Sequence, residues 1–178
     1  MTRAVVATLL VASLVALGLP RVAAAAAGEQ AVSVGLRYGA LTLPVEEDDD
    51  LELDGGVLVL EWERGLGDTY GVRAHLAAGA YDGSAEGTPY GGAAAIGGVY
   101  RFDVLRAVPY LQASVGAIMA TGDGMDTTVK PTIELGAGLD FLESRSFGWG
   151  VALSWDAIAS EARFLTIGLR ASWRWGWF

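Results

Sequence analysis

The chain has 178 residues but no cysteine and a single histidine, His75. Without cysteine, neither a disulfide scaffold nor a thiolate metal site can form. Basic residues are also scarce, since 12 lysines and arginines stand against 21 acidic residues and give a formal net charge of −9. This deficit removes the basic surface that nucleic-acid binding requires, so we expect no nucleic-acid partner.

Beyond the first residues the sequence also lacks any long apolar run. Arg3, the uncharged residues 4–19 and the alanines at 23–27 together have the pattern of a secretory signal peptide. The run is shorter than the roughly 20 residues of a membrane-spanning helix, which disfavours the alternative of an uncleaved anchor. We therefore predict a cleavable signal peptide over residues 1–27, secretion to the periplasm, and one mature domain over residues 28–178.

In the mature region, apolar residues stand at every second position of several segments. Residues 147–156 show this best, because Trp149, Val151 and Leu153 share one face while Gly150, Ala152 and their even-numbered neighbours share the other. Such alternation predicts β-strands with one apolar face. The pattern predicts eight strands, over residues 31–43, 57–64, 69–81, 90–102, 108–120, 131–141, 147–156 and 163–175.

The connections between these segments alternate in length. Short ones lie around residues 65–68, 103–106 and 143–145, and longer polar ones lie around 44–56, 82–89, 121–130 and 156–161. Antiparallel strands with short turns at one end and longer loops at the other are typical of bacterial outer-membrane barrels. We therefore predict an all-β, eight-stranded, antiparallel up-and-down transmembrane β-barrel.

A secreted β-sandwich is the alternative, because it also has short alternating strands. Two features disfavour it. The face opposite the apolar one is charged along most strands, and aromatic residues stand on the apolar face near strand ends, as a membrane-interface girdle requires. The residues that we assign to this girdle are Trp62, Tyr70, Trp149, Trp155, Trp173 and Trp175.

In these features the sequence resembles the small eight-stranded outer-membrane β-barrels of the OmpA/OmpX type. The resemblance covers the mature chain and depends on strand number, loop asymmetry, the signal peptide and the terminal aromatic Phe178. It implies a location in the bacterial outer membrane, contact with membrane lipid and lipopolysaccharide, and recognition of the last strand by the barrel-assembly machinery. It also implies a non-enzymatic structural or surface-interaction function without a cofactor.

The resemblance leaves two other functions open. One is a narrow channel or transporter for a small solute, as in OmpW-like barrels, and it is disfavoured by a charged interior. The other is lipid-A modification, which some small barrels perform with a histidine and a serine two positions later. Here Ala77 stands two positions after His75, so we do not expect an enzyme.

The polar face of the strands predicts a network of ion pairs inside the barrel. Its members are Arg37, Glu61, Glu63, Arg73, His75, Arg101, Glu134, Asp140, Arg170 and Arg174. The hairpin pattern sets Arg37 against Glu63, and Glu61 beside Arg73. Eight strands enclose a lumen that side chains can fill, so we expect the network to close it, although inward glycines such as Gly136 and Gly138 leave room for water. A narrow polar conduit is the alternative.

The first longer connection is strongly acidic, with seven carboxylates between Glu46 and Asp54. Asp50, Glu52 and Asp54 also approach the spacing of a calcium-binding loop and are candidate calcium ligands. The alternative is a solvated acidic loop that binds divalent cations weakly or contacts a basic surface ligand.

The barrel prediction is tested with purified protein folded in detergent. We expect a β-rich circular dichroism spectrum and a different apparent mass on a denaturing gel before and after boiling, because closed barrels resist unfolding until they are heated. A helical spectrum, or a mature chain that stays soluble without detergent, would contradict the fold.

Overall fold

The structure is a computed structural model that describes residues 28–43, 51–82, 89–102, 106–122, 125–158 and 163–176. The predicted signal peptide and Phe178 lie outside these ranges. The strands are β1 (Gln30–Leu43), β2 (Leu51–Gly65), β3 (Tyr70–Asp82), β4 (Tyr90–Arg101), β5 (Ala107–Gly122), β6 (Met125–Leu142), β7 (Phe147–Ile158) and β8 (Arg163–Trp175).

The eight strands form one closed antiparallel barrel in chain order. Each strand pairs with its sequence neighbours, and β8 closes the sheet on β1 through pairs that run from Gln30 with Trp175 to Thr42 with Arg163. Closure leaves no sheet edge with unpaired backbone groups, which a bilayer would not tolerate. The predicted fold class and strand number are confirmed.

None of the described residues forms a helix that is long and apolar enough to span a membrane.

Side chains alternate strictly between the two faces of the barrel wall. In β8, Thr166 and Arg170 point inward and are buried, while Ile167 and Leu169 point outward and are 56% and 61% exposed. The outward faces of most other strands likewise carry exposed large apolar residues, whereas β4 presents mainly glycine and alanine there. Apolar residues outside and charged residues inside are the pattern of a transmembrane barrel, where lipid covers the outer face.

Two strands begin six residues before the starts that their hydrophobic patterns predicted. β2 begins at Leu51 instead of residue 57, and β6 begins at Met125 instead of residue 131. In β2 the outward positions of this extension are Glu52 and Asp54, which are exposed. Backbone pairing therefore continues past the end of the apolar band, where hydrophobic alternation gives no signal.

Inward glycines provide space for large neighbouring side chains instead of leaving room for water. A side chain at Gly138 would overlap the Tyr110 phenol and the backbone carbonyl of Val151, and one at Gly136 would come within 2.7 Å of Gln112. The expectation of water-filled gaps at these two glycines is therefore wrong. Each small residue lies under a bulky side chain of the adjacent strand.

Adding one methyl group to this interior tests the packing. Gly138→Ala should lower the free energy of unfolding by about 1–3 kcal/mol, because the Val151 carbonyl is backbone and cannot move aside easily. Gly98→Ala is the matched control, since nothing lies within 4 Å of a side chain there, and its effect should stay within about 0.5 kcal/mol. Denaturant titration in lipid vesicles, followed by tryptophan fluorescence, measures both; equal effects would contradict the packing.

Candidate functional site: the charged barrel interior

Charged side chains fill the half of the interior that is nearer the short turns. We call this set the charged belt: Glu29, Arg37, Glu61, Glu63, Arg73, His75, Arg101, Glu134, Asp140, Arg170 and Arg174. Every residue that the sequence assigned to the lumen network lies in it. Most members are less than 9% exposed, and Arg73 is only 1% exposed.

The centre of the belt is Tyr110, held between two arginines. The Arg73 guanidinium lies 4.5 Å from the centre of the Tyr110 ring, and the Arg170 guanidinium lies 5.1 Å from it. Arg170 also donates a hydrogen bond of 3.1 Å to the Tyr110 hydroxyl. Cations over an aromatic face are attracted by its negative quadrupole, so the ring stabilises two positive charges that lack solvent.

Carboxylates join these arginines to the surrounding strands. Glu61 on β2 lies 2.9 Å from Arg170 on β8 and also contacts Arg37. Glu63 lies 2.7 Å from Arg73 on β3 and also contacts Arg101 on β4. Glu61 thus has three cationic partners, including Arg73 on β3, and Glu63 has two, so the pairs join β2 to β1, β3, β4 and β8.

One predicted pair is wrong. The β1–β2 register places Arg37 opposite Val57 and Glu63 opposite Ala31, because the hairpin is centred near position 47 and not position 50. Arg37 therefore reaches Glu61 instead of Glu63. The expected proximity of Glu61 to Arg73 is confirmed, with a separation of 4.0 Å.

Sequence reasoning missed Glu29 at the turn end of the belt. Its carboxylate lies 3.7 Å from both Arg101 and Arg174, and Arg174 also lies 3.3 Å from Asp140. Glu29 precedes the first apolar position of β1, so it fell outside the predicted strand. The sequence did contain a signal for it: odd-numbered residues of β1, such as Ala31 and Ser33, face the interior, and Glu29 is also odd-numbered.

His75 and Glu134 form the end of the belt that is nearer the loops, and other polar residues lie beside them. His75 Nε2 lies 3.0 Å from Glu134, and Gln112 donates a hydrogen bond from its amide nitrogen to the other oxygen of Glu134. Asp156 is buried nearby and accepts a hydrogen bond of 3.3 Å from the Thr132 hydroxyl. The sequence pattern made Asp156 the last residue of the predicted strand, on the face opposite the apolar one, and also the first residue of the following loop. In the structure β7 continues to Ile158, and the Asp156 side chain is buried inside the barrel.

Beyond these residues the interior is apolar. We call this part the apolar layer, formed by Leu41, Leu53, Val57, Val59, Tyr81 and Phe164, with Ala77 and Ile118 packed against it. Tyr81 and Phe164 meet edge to face, with ring centres 6.0 Å apart. The expectation of a charged lumen therefore holds for the turn-side half only. Inward positions near the loop ends carry large apolar side chains, and in β2 the outward neighbours of Leu53 are the charged residues Glu52 and Asp54, so the polarity of the two faces is reversed there.

The candidate calcium ligands do not converge inside a loop. Glu52 and Asp54 lie within β2, opposite Thr42 and Ala40, and both side chains are exposed. Asp50 lies outside the described residues. Among the residues that the structure describes, no group of three or more histidine, cysteine, aspartate or glutamate side chains is placed to hold a metal ion.

The residues assigned to the aromatic girdle all face outward. Trp62, Tyr70, Trp149, Trp155, Trp173 and Trp175 are between 39% and 63% exposed. Trp149 donates a hydrogen bond of 2.9 Å from its indole nitrogen to Glu143 in the β6–β7 turn. An indole with its ring against lipid and its N–H bonded to a turn residue is placed as an interfacial anchor requires.

Removing one cation from the belt tests whether the pairs hold the barrel together. Arg73→Met should lower the free energy of unfolding by about 3–5 kcal/mol, because Glu63 then loses its 2.7 Å partner while remaining buried. Arg64→Met is the matched control, since Arg64 lies on the same hairpin but is exposed on the outer face. Denaturant unfolding in vesicles gives both values, and a loss below about 1 kcal/mol for Arg73→Met would contradict a buried network.

No protein-family model and no curated protein sequence matches the chain. Solved structures do match it. They include Ail, the attachment invasion locus protein of Yersinia pestis, with 17% identity, a TM-score of 0.59 and coverage of 84% of this chain and 99% of that one. Ail has also been solved with the heparin analogue sucrose octasulfate.

Two further matches have higher TM-scores at lower identity. Neisserial surface protein A matches with 9% identity and a TM-score of 0.67 over 82% of this chain and 98% of that one. The outer membrane protein OprG from Pseudomonas aeruginosa matches with 9% identity and a TM-score of 0.63 over 84% and 97%. The fold of this chain is thus that of the small eight-stranded outer-membrane β-barrels.

Proposed function

We propose that the chain is a non-enzymatic integral protein of the bacterial outer membrane, with a lumen that is closed to ions. In this proposal residues 1–27 direct secretion and are removed, the turns face the periplasm, and the longer loops face outward. Function then resides in the outer surface and the loop end, through contact with lipid, lipopolysaccharide or a surface ligand.

The observation that supports closure is the pairing across the charged belt. Arg170 on β8 contacts Glu61 on β2 and also donates a hydrogen bond to the Tyr110 hydroxyl on β5, three strands away around the barrel, so side chains span the interior. An ion that entered would have to displace these partners. Separating buried opposite charges costs several kcal/mol, which is a high barrier to permeation.

The charge of the loop end indicates the kind of surface partner. Glu52, Asp54 and Asp82 are exposed on the outer face near the loops, and the acidic residues 46–50 belong to the first connection. A negative surface repels polyanions such as sulfated sugars, so the ligand of Ail is not the one we propose here. A basic partner, or lipopolysaccharide bridged by divalent cations, fits this charge.

Transport of a small apolar solute is the second candidate. The observation that favours it is the apolar layer, because an apolar lining suits such a solute. The charged belt disfavours it, because the belt lies below the apolar layer and would have to open before a solute could pass through the barrel.

Planar-bilayer recording tests closure. We expect no steady unit conductance from the reconstituted wild-type protein, while a porin reconstituted in parallel shows that channels are detected. A steady unit conductance that changes in Arg37→Ala or Glu63→Ala protein would make this barrel a channel and would overturn the proposal.

A further inference from the structure

Arg64 differs from the arginines of the charged belt in its place and in its partners. It is the next-to-last residue of β2, and its side chain is exposed on the outer face. Each arginine of the belt contacts a carboxylate, whereas Arg64 forms no ion pair with any residue that the structure describes, including Asp68 of the following turn. Its positive charge is therefore available to a partner outside the chain.

Gln30 stands directly opposite Arg64 in the β1–β2 pairing. Side chains at directly opposite positions have Cβ atoms about 4.5–5.5 Å apart, so the two residues present their polar ends together. The Trp62 indole nitrogen donates a hydrogen bond of 3.4 Å to Gln30 Oε1, which directs the amide nitrogen of Gln30 elsewhere. Among the described residues nothing accepts a hydrogen bond from this nitrogen, so it is a second free donor beside the guanidinium.

Aromatic side chains flank these two donors on the outer face. Trp62 lies two positions before Arg64 on β2, and Trp175 stands opposite Gln30 in the β1–β8 pairing. Tyr70 begins β3 on the other side. Exposed tryptophan and tyrosine rings lie at the level of the lipid headgroups. Because Arg64 is about 7 Å nearer the turn than Trp62 along the strand, its guanidinium reaches the level of the lipid phosphates.

Phosphate is the lipid group that these donors fit. A guanidinium presents parallel N–H groups that match two phosphate oxygens, and the opposite charges strengthen the hydrogen bonds. The loop end of the outer face carries the exposed acids Glu52 and Asp54 instead, which repel phosphate. A head group with no cation of its own leaves the phosphate charge uncompensated, so an anionic phospholipid is favoured over a zwitterionic one.

We propose that Arg64 and Gln30 form a binding site for the phosphate of one anionic phospholipid in the leaflet at the turn end. The Arg64 guanidinium pairs with the phosphate, and the Gln30 amide nitrogen donates a hydrogen bond to another of its oxygens. The acyl chains then run along the outer face beside Trp62 and Val72.

The site rests on the proposed function, because only a barrel embedded in a bilayer brings Arg64 to lipid phosphates. It does not depend on closure of the lumen. Steady ion conductance would overturn closure and leave this site intact. Absence of phospholipid binding would overturn the site and leave closure and the membrane location intact.

Proton–nitrogen correlation NMR of the detergent-folded protein in maltoside micelles tests the site. We expect added dioleoylphosphatidylglycerol to shift the Gln30 amide signal and the Trp62 indole signal saturably, because the indole is bonded to Gln30. Dioleoylglycerol has the same chains without phosphate and should bind about threefold to fivefold more weakly, as expected for the loss of one exposed charge pair. Equal binding of the two lipids, or shifts that spare Gln30 and Trp62, would overturn the proposal.

Glycerophosphoglycerol, which is the head group without chains, distinguishes a lipid site from a site for free phosphate esters. It should bind more weakly than the lipid, because it lacks the chains that cover the apolar surface beside Val72. Binding of the soluble head group as tight as that of the lipid would refute the assignment to phospholipid.

Two arginine variants separate this site from the general charge of the turn end. Arg64→Gln should weaken phosphatidylglycerol binding by about threefold to fivefold and leave dioleoylglycerol binding unchanged. Arg145→Gln is the matched control, because it removes the same charge from an exposed position in the β6–β7 turn, and it should bind as wild type does. Both arginines are exposed, so both variants should fold. Equal losses in the two variants, or undiminished binding by Arg64→Gln protein, would contradict a role of Arg64 in the site.

Discussion

The cost of burying charge governs this structure. An isolated ionised group inside a narrow lumen loses most of its hydration, and only a close partner of opposite sign compensates for that loss. The belt meets this condition by placing carboxylates within reach of arginines from several strands, and the guanidinium groups of Arg73 and Arg170 also lie over the Tyr110 ring. Strand order and register must then be correct for any pair to form, so the electrostatics of the interior and the topology of the sheet depend on each other.

The same constraint explains how the interior is divided. Charges are concentrated near the short turns, and large apolar side chains occupy the half near the loops. Tyr81 and Phe164 fill the lumen by ring packing, whereas every arginine of the belt contacts at least one carboxylate. The two halves therefore fill the interior by different means: one by ion pairs between strands, the other by packing of aromatic and aliphatic side chains. Inward glycines make room for several of these side chains, since Gly138 lies against Tyr110, Gly79 against Tyr81 and Gly39 against Phe164.

Hydrophobic alternation was enough to predict the strand number, the antiparallel closed sheet and the face on which each charged residue lies. It could not set the hairpin register, because parity remains unchanged when two strands slide by two residues, and Arg37 was consequently paired with Glu63 instead of Glu61. Glu29 was missed for a related reason: it precedes the first apolar position of β1, yet its backbone carbonyl still accepts a hydrogen bond from Gly65. The apolar layer was missed because Leu41, Leu53 and Phe164 break the rule that inward residues are polar.

Pairing across the lumen has an evolutionary consequence. Glu61 and Arg170 lie on β2 and β8, far apart in the sequence, yet they form an ion pair. Replacing either one with a residue of opposite charge would place two like charges side by side in the interior. Tyr110 and Gly138 are coupled through the space that they share. A larger residue at position 138 would require a smaller residue at position 110. Substitutions inside this barrel are therefore expected to occur as coupled sets, while the lipid-facing positions between them drift independently among apolar residues.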